Sequence, residues 1–281
     1  SHRCCNVAKC NNEYRSDHLI DLFPEWIAHR SCIHKVGISA MNGLCVPPVT
    51  HVIFDLDGLL IDSEPIYAEV NRRVMAKYGK QYSTELKKLT MGMRQDPAVE
   101  LMIEKVGLKG KVTLQEYTAA YDALLPELLP NCRMMPGAMR FVEHLARHNI
   151  PFAICTGSRS MECDLKLRNL KQLTDLVPLM VRGEDPEIRN GKPAPDCFLV
   201  TMNRFKEKPK SASNVAVFED SPNGIRAAVG AGMRAVMIPD VRYASPPEDI
   251  KDRITMVLRS FEEFLPESLG LPPYNDGYSN N

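Results

Sequence analysis

His51-Val52-Ile53-Phe54-Asp55-Leu56-Asp57-Gly58 is the stretch on which the fold turns. A short, mostly apolar run ends in two aspartates one residue apart and then a glycine. Its length and composition suit a strand buried in a parallel sheet, and Asp-x-Asp-Gly suits the loop at that strand's carboxyl end. Immediately downstream, Pro65 opens a helical pattern of Tyr67, Val70, Val74 and Tyr78 that Gly79 stops, which predicts a helix over 64–78. From 83 to 130 the apolar residues keep three-and-four spacing, as in Leu86/Leu89, Val99/Met102/Ile103/Val106 and Tyr117/Tyr121/Leu124/Leu125/Leu128. That block reads as helical, with no strand in it.

Beyond Pro136-Gly137 helices and strands alternate. Phe141/Val142/Leu145/Ala146 mark a helix, 152–155 a strand, 177–181 another, Cys197/Phe198/Val200/Thr201 a helix, and 215–218 a strand. Ser221-Pro222 opens a helix carrying Ile225, Ala228 and Val229, with the serine as its cap and the proline in its first turn, and 235–238 is the next strand. The alternation predicts an α/β fold: a doubly wound parallel sheet over 47–63 and 134–275, with an all-helical insertion over 64–133. Ligands of such sheets sit beyond the carboxyl ends of the strands.

Residues 1–46 differ from the rest, holding five of the nine cysteines and four of the seven histidines without apolar periodicity. Adjacent Cys4-Cys5 is poor zinc geometry and only His29/His34 is spaced near the rule, so this segment is expected as a disordered extension rather than a metal site, with Met41 an alternative start. Residues 276–281 are expected as a tail. Lys and Arg together number 35, as do Asp and Glu, so the formal net charge is zero. A chain gripping a nucleic acid polymer or an anionic membrane surface usually carries a basic surplus, and neither partner is expected. No run approaches the roughly 18 apolar residues of a membrane span, and Cys132, Cys155, Cys163 and Cys197 show no paired spacing. The expectation is a cytoplasmic monomer.

Four polar clusters stand at the strand ends: Asp55-Leu56-Asp57-Gly58, Thr156-Gly157-Ser158, Gly191-Lys192-Pro193 and Glu219-Asp220-Ser221. Taken singly, each has an ordinary reading as a turn, a cap, a solvated lysine or an acidic helix N-terminus. Taken together at one sheet edge, they place three carboxylates close enough to repel unless a cation lies among them. Such hard oxygen ligands suit Mg²⁺, which partners phosphates. A threonine hydroxyl, backbone N–H groups and a lysine ammonium supply donors for phosphoryl oxygens, and an ionised aspartate is a competent nucleophile. The ligand is therefore expected to be a small phosphorylated metabolite. Met91, Met93, Met102, Met134 and Met135 are read as packing. Cys155 is read as a small buried hydrophobe rather than a nucleophile.

Phe54-Asp55-Leu56-Asp57-Gly58-Leu59-Leu60-Ile61-Asp62-Ser63-Glu64, Thr156-Gly157-Ser158, Gly191-Lys192-Pro193-Ala194-Pro195-Asp196 and Phe218-Glu219-Asp220-Ser221-Pro222-Asn223-Gly224 resemble the four motifs of the haloacid dehalogenase-like hydrolase superfamily. The insertion resembles that superfamily's helical cap on a Rossmann-like core. The resemblance implies that Asp55 attacks phosphorus and becomes an aspartyl phosphate, while Asp57 protonates the leaving oxygen and later activates water. It implies that Asp55, the Asp57 carbonyl and Asp220 hold Mg²⁺, with Glu219 near them. Thr156, Gly157, Ser158 and Lys192 would bind the phosphoryl group, and Glu64 and Asn223 would flank the substrate. Where a basic pair is expected after Gly92 the chain has Met93-Arg94, which leaves Arg94 as the cap's substrate contact. A finer resemblance, to the branch acting on pseudouridine 5'-phosphate, is carried by 48–54, 148–153, 183–187 and 270–274. The alternatives are a sugar-phosphate phosphatase or a phosphomutase of the same superfamily, and, more remotely, a receiver-type regulatory domain, which would lack the long helical insertion.

Overall fold

In the computed structural model residues 47–275 are described; the expectations for 1–46 and 276–281 lie outside them. Six parallel strands form one sheet: β1 (His51–Phe54), β2 (Phe152–Cys155), β3 (Met180–Val181), β4 (Val215–Glu219), β5 (Arg234–Met237) and β6 (Met256–Val257), in the order β3-β2-β1-β4-β5-β6. β1 is central, paired with β2 through Val52↔Phe152 and with β4 through Phe54↔Phe218. All four β1 residues are buried, as strands covered on both faces must be. Alternate residues divide between two apolar layers: Val52, Phe54, Phe152, Ile154 and Phe218 in one, and Ile53, Ala153, Val215, Val217 and Ala235 in the other.

The insertion over 64–133 carries five α-helices, α1 (Glu64–Lys77), α2 (Thr84–Thr90), α3 (Gln95–Lys105), α4 (Leu114–Asp122) and α5 (Leu125–Leu128), with no named strand among them. α6 (Ala138–Arg147) and α7 (Ser160–Leu167) cover the first layer of the sheet, and α8 (Lys171–Thr174) follows α7. α9 (Asp196–Arg204) and α10 (Pro222–Gly230) cover the second layer. The chain's passage into the inserted helices and its return lie side by side. Asp62 N–H donates to Arg133 C=O at 2.8 Å, Met135 N–H donates to Leu60 C=O at 2.8 Å, and Ile61 bridges Met134 in antiparallel fashion.

The expected helix over 64–78 forms over Glu64–Lys77 and stops where Gly79 adopts φ +66°, and β2 forms over its expected span. The strand expected over 177–181 shortens to Met180–Val181. Pro178 lacks the N–H that a ladder needs. Leu89, read as an apolar-face residue, is 49% exposed, whereas Leu86 is buried. β6 was not anticipated; with two residues, one half-buried and one exposed, it carries no periodicity to detect.

An aromatic cluster fixes the sheet edge that carries the polar residues. Phe54 and Phe218, paired in register, have ring centroids 5.5 Å apart. Phe141 lies 5.5 Å from Phe54 and 4.7 Å from Phe264. Each such pair contributes about 0.5–1.5 kcal/mol beyond its buried area. Because Asp55 follows Phe54 and Glu219 follows Phe218, this cluster sets the positions of the two carboxylates.

Candidate active site

Asp55 and Glu219 leave adjacent strands at the same level, and one ammonium lies between them. Lys192 Nζ donates to Asp55 Oδ1 and to Glu219 Oε1, both at 2.5 Å. All three groups are buried: side-chain exposure is 6% for Lys192, 8% for Asp55 and 1% for Glu219. Glu219 Oε2 also accepts from the backbone N–H and the hydroxyl of Ser221, each at 2.9 Å. Ser221 in turn caps α10, its hydroxyl accepting from Gly224 N–H at 3.0 Å, with Pro222 in the first turn as the sequence predicts. Gly224 is required by space, since a Cβ there would lie 1.8 Å from Glu219 Oε1. Gly58 is required by conformation and space: its φ is +75°, and a Cβ would lie 2.5 Å from Asp220 Oδ2.

The acidic cluster holds more negative charge than Lys192 neutralises. Burial pushes the Asp55 carboxyl up to about 8, Lys192 opposes this, and Glu219 and Asp57 reinforce it. Burial, then the neighbouring Glu219, Asp55 and Glu64, push Asp220 well above the ordinary carboxylate range. Two carboxylates held in this way take up protons unless a cation joins them. The donors are carboxylate oxygens, the hard ligands that Mg²⁺ prefers while keeping waters of its own. Among the described residues no group of three or more His, Cys, Asp or Glu stands ready to hold a metal by itself. The Asp55 and Asp220 carboxylates fit as part of a metal's ligand set, with water or phosphate completing it, and do not make an all-side-chain cage. Glu219, expected near the metal, holds Lys192 with one carboxylate oxygen and Ser221 with the other.

Asp57 sits in a separate network, and its main partner went unnoticed in the sequence. Lys166 Nζ, on α7, donates to both Asp57 oxygens at 2.6 and 2.7 Å and to Ser158 Oγ at 2.7 Å. Ser63 Oγ donates to Oδ1 at 2.7 Å, while Ser158 Oγ and Thr156 Oγ1 donate to Oδ2 at 2.7 and 3.2 Å. Burial alone would raise the Asp57 carboxyl, but the Lys166 charge and the hydrogen bonds from Lys166, Ser63 and Ser158 outweigh it and hold the group below the ordinary range. As arranged, Asp57 is an ionised acceptor on both oxygens. Thr156 and Ser158, expected to face phosphate, spend their hydroxyls here, and Thr156 Oγ1 also accepts from Ser158 N–H at 3.0 Å. A lysine inside a helix ordinarily reads as a solvated side chain; the one signal available was its place ten residues beyond Thr156, on the helix that starts at the site.

The inserted helices close the other side of a cleft whose cavity is about 160 Å³. Asp55, Asp57, Thr156, Gly157, Ser158, Lys192, Glu219 and Asp220 all line it from the sheet side, so the structure gathers these sequence-predicted residues in one place. Glu64 lines it too, paired with Lys87 Nζ at 3.1 Å. Tyr67 and Tyr121 stand across from the sheet with rings stacked at 6.3 Å and 11°. Arg94 and Asn223, expected as substrate contacts, point elsewhere in this structure. Arg94 donates to Ile188 C=O at 3.1 Å and packs against Gly191, and neither residue lines the cleft. Asn223 Nδ2 donates to Met91 C=O at 3.1 Å. Both tie the 91–94 loop of the insertion to the sheet-side loops, and the Arg159 to Asp122 pair at 2.5 Å ties the end of α4 to the start of α7. Cys155 is fully buried, with its thiol pushed well above its usual range by burial, as expected of a packing residue.

A doubly wound parallel sheet with acidic and basic side chains gathered at its strand ends beneath a helical insertion places the chain among α/β proteins whose site lies at the carboxyl edge of the sheet. The chain belongs to the haloacid dehalogenase-like hydrolases, whose family model matches residues 52–238. It is 40% identical to (DL)-glycerol-3-phosphatase 2 of Arabidopsis thaliana over 81% of this chain and 94% of that protein. It is also 40% identical to the protein named "Probable pseudouridine-5'-phosphatase" of Drosophila melanogaster, over 81% of this chain and 96% of that one. Among solved structures, β-phosphoglucomutase from Clostridium difficile superposes with a TM-score of 0.61 at 20% identity, covering 77% of this chain and 93% of that one, which speaks to the fold. The fold is as expected, and the chain is a phosphatase.

Proposed function

We propose that this chain hydrolyses pseudouridine 5'-phosphate to pseudouridine and phosphate with Mg²⁺, through an aspartyl-phosphate intermediate. The observation that carries the chemistry is Asp55, at the end of the central strand and 2.5 Å from a buried lysine, in a cluster of carboxylates that one ammonium leaves under-neutralised. Asp55 attacks phosphorus, the P–O bond to the leaving group breaks, and the oxygen departing with the nucleoside takes a proton from Asp57. In the second step Asp57 takes a proton from water, whose oxygen attacks phosphorus and frees Asp55. Lys192 orients Asp55 and lies beside its phosphorylated form. Asp57 is held as a base in the resting site, so the proton for the first step enters with the monoprotonated phosphate ester or from solvent, while Lys166, its own ammonium stabilised by the Asp57 charge, holds Asp57 in place at 2.6 Å. Bound at Asp55, Asp220 and the Asp57 carbonyl, Mg²⁺ would supply charge neutralisation for the phosphoryl oxygens.

The working partition is a core of 47–63 and 134–275 with residues 64–133 as a cap, in a cytoplasmic monomer. The pseudouridine reading is supported by the stretches at 48–54, 148–153, 183–187 and 270–274 and by the Drosophila relative's printed name. The equal identity to the plant glycerol-3-phosphatase favours a second reading, hydrolysis of glycerol 3-phosphate. A phosphate-release panel of pseudouridine 5'-phosphate, uridine 5'-phosphate, glycerol 3-phosphate and sugar phosphates, run with Mg²⁺ and with EDTA, separates them. Pseudouridine 5'-phosphate should rank first, with activity lost in EDTA and restored by Mg²⁺. Full activity in chelator contradicts the metal, and a requirement for a bisphosphate activator points to a mutase.

A further inference from the structure

Gln95 opens α3 above the cleft and contributes to its lining. Both polar atoms of its side chain, Nε2 and Oε1, are closed off from solvent and have no hydrogen-bond partner among the described residues. Leaving a buried donor and acceptor unmet costs free energy, so a carboxamide in this state is either a defect or a group awaiting its partner. The surroundings favour the second. The 91–94 loop that leads into Gln95 is tied down by Asn223 on the Met91 carbonyl and by Arg94 on the Ile188 carbonyl, so the amide's position is held from the sheet side. Val99 and Met102 of the same helix line the cleft beside it, and the stacked Tyr67 and Tyr121 supply a flat wall. A carboxamide presents one donor and one acceptor in a plane, and its two ends are interchangeable by a flip of the amide.

We infer that Gln95 is a specificity-determining residue that reads an adjacent N–H and C=O on a planar leaving group, the edge a pyrimidinedione ring presents, by a two-point hydrogen bond. The inference rests on the proposed substrate and deepens it: pseudouridine offers such an edge, and glycerol does not. Arg94, one residue earlier, is the latch that holds the reader in place.

The test compares kcat/KM for pseudouridine 5'-phosphate with kcat/KM for p-nitrophenyl phosphate in the wild type, in Gln95→Leu and in Gln95→Glu. Leu keeps the bulk and removes both polar ends; Glu keeps acceptors and removes the donor. Gln95→Leu should lower the ratio at least tenfold, and Gln95→Glu should lower it as well. The melting temperature of the ligand-free Leu variant should be equal to or above that of the wild type, because the substitution removes two unmet polar atoms. A residue kept for structure alone would lower the melting temperature and reduce both substrates together, which would overturn the inference. So would an unchanged ratio in both variants of a wild type that prefers pseudouridine 5'-phosphate. A wild type that hydrolyses p-nitrophenyl phosphate but not pseudouridine 5'-phosphate would instead fail the substrate reading itself, and the inference with it.

Discussion

Lys166→Met is the perturbation that best tests how the site is held together. The ammonium is fully buried and makes two contacts to Asp57, whose side chain is 17% exposed. Removing one partner of a buried pair costs about 3–5 kcal/mol, because the other charge is left without compensation. Asp57 keeps donors in Ser63, Ser158 and Thr156, which argues for the low end, about 3 kcal/mol. For a domain of this size that lowers Tm by about 6–12 °C. The pH dependence has a definite sign. In the wild type the Asp57 carboxyl lies below its ordinary value, so its contribution to stability is present above the unfolded pKa and is lost as pH falls through the folded one. Without Lys166, burial raises the group above its unfolded value, and stability then falls as pH rises between the two. The deficit of the variant should accordingly be larger at pH 8 than at pH 5. Thermal melts of the wild type, Lys166→Met, Asp57→Asn and the double variant close the cycle, with a coupling of about 2 kcal/mol expected. A single variant melting within about 2 °C of the wild type at pH 8, or a double variant whose losses simply add, would refute the reasoning.

Asp55→Asn should abolish turnover while the protein stays folded, since an amide oxygen is too weak a nucleophile to open the phosphate ester; comparable kcat in a folded variant would remove Asp55 from that role. Arg94→Ala should lower kcat/KM for pseudouridine 5'-phosphate more than for p-nitrophenyl phosphate, because the guanidinium ties the loop leading into Gln95 to Ile188 and does not itself line the cleft. Equal losses on both substrates in steady-state kinetics would show that this tie does not place Gln95.

The architecture was legible because its signals are local. β1 is a short buried run ending in charge, and α1 is bounded by Pro65 and Gly79, so both could be read from neighbours in the chain. The gathering of Asp55, Thr156, Lys192 and Asp220 was legible because parallel topology brings strand ends to one edge. What escaped depends on side-chain direction. Lys166 turns inward from a helix whose only hint of it is its distance from Thr156, and Arg94 and Gln95, adjacent in sequence, part company at the start of α3, one to a core carbonyl and one to the cleft. The motif resemblance led to the cationic neighbour as the substrate contact. Direction at a helix start is set by the loops it packs against, and those lie nearly a hundred residues away in the chain, at Ile188 and Gly191.

The pairing of 60–62 with 133–135 bears on how such a protein can change. To the sheet, everything between those segments behaves as the loop of a hairpin whose stem is already closed. The entropy of closing such a loop grows only slowly with its length. Helices can therefore be lengthened, exchanged or reshaped beyond the stem at little expense to the strands that carry Asp55 and Asp220. The same stem begins three residues after Asp57 and one after Leu59, so whatever is grafted above it is delivered to the same proposed acid–base group. One reaction can then be offered to many leaving groups by redrawing a single detachable lid.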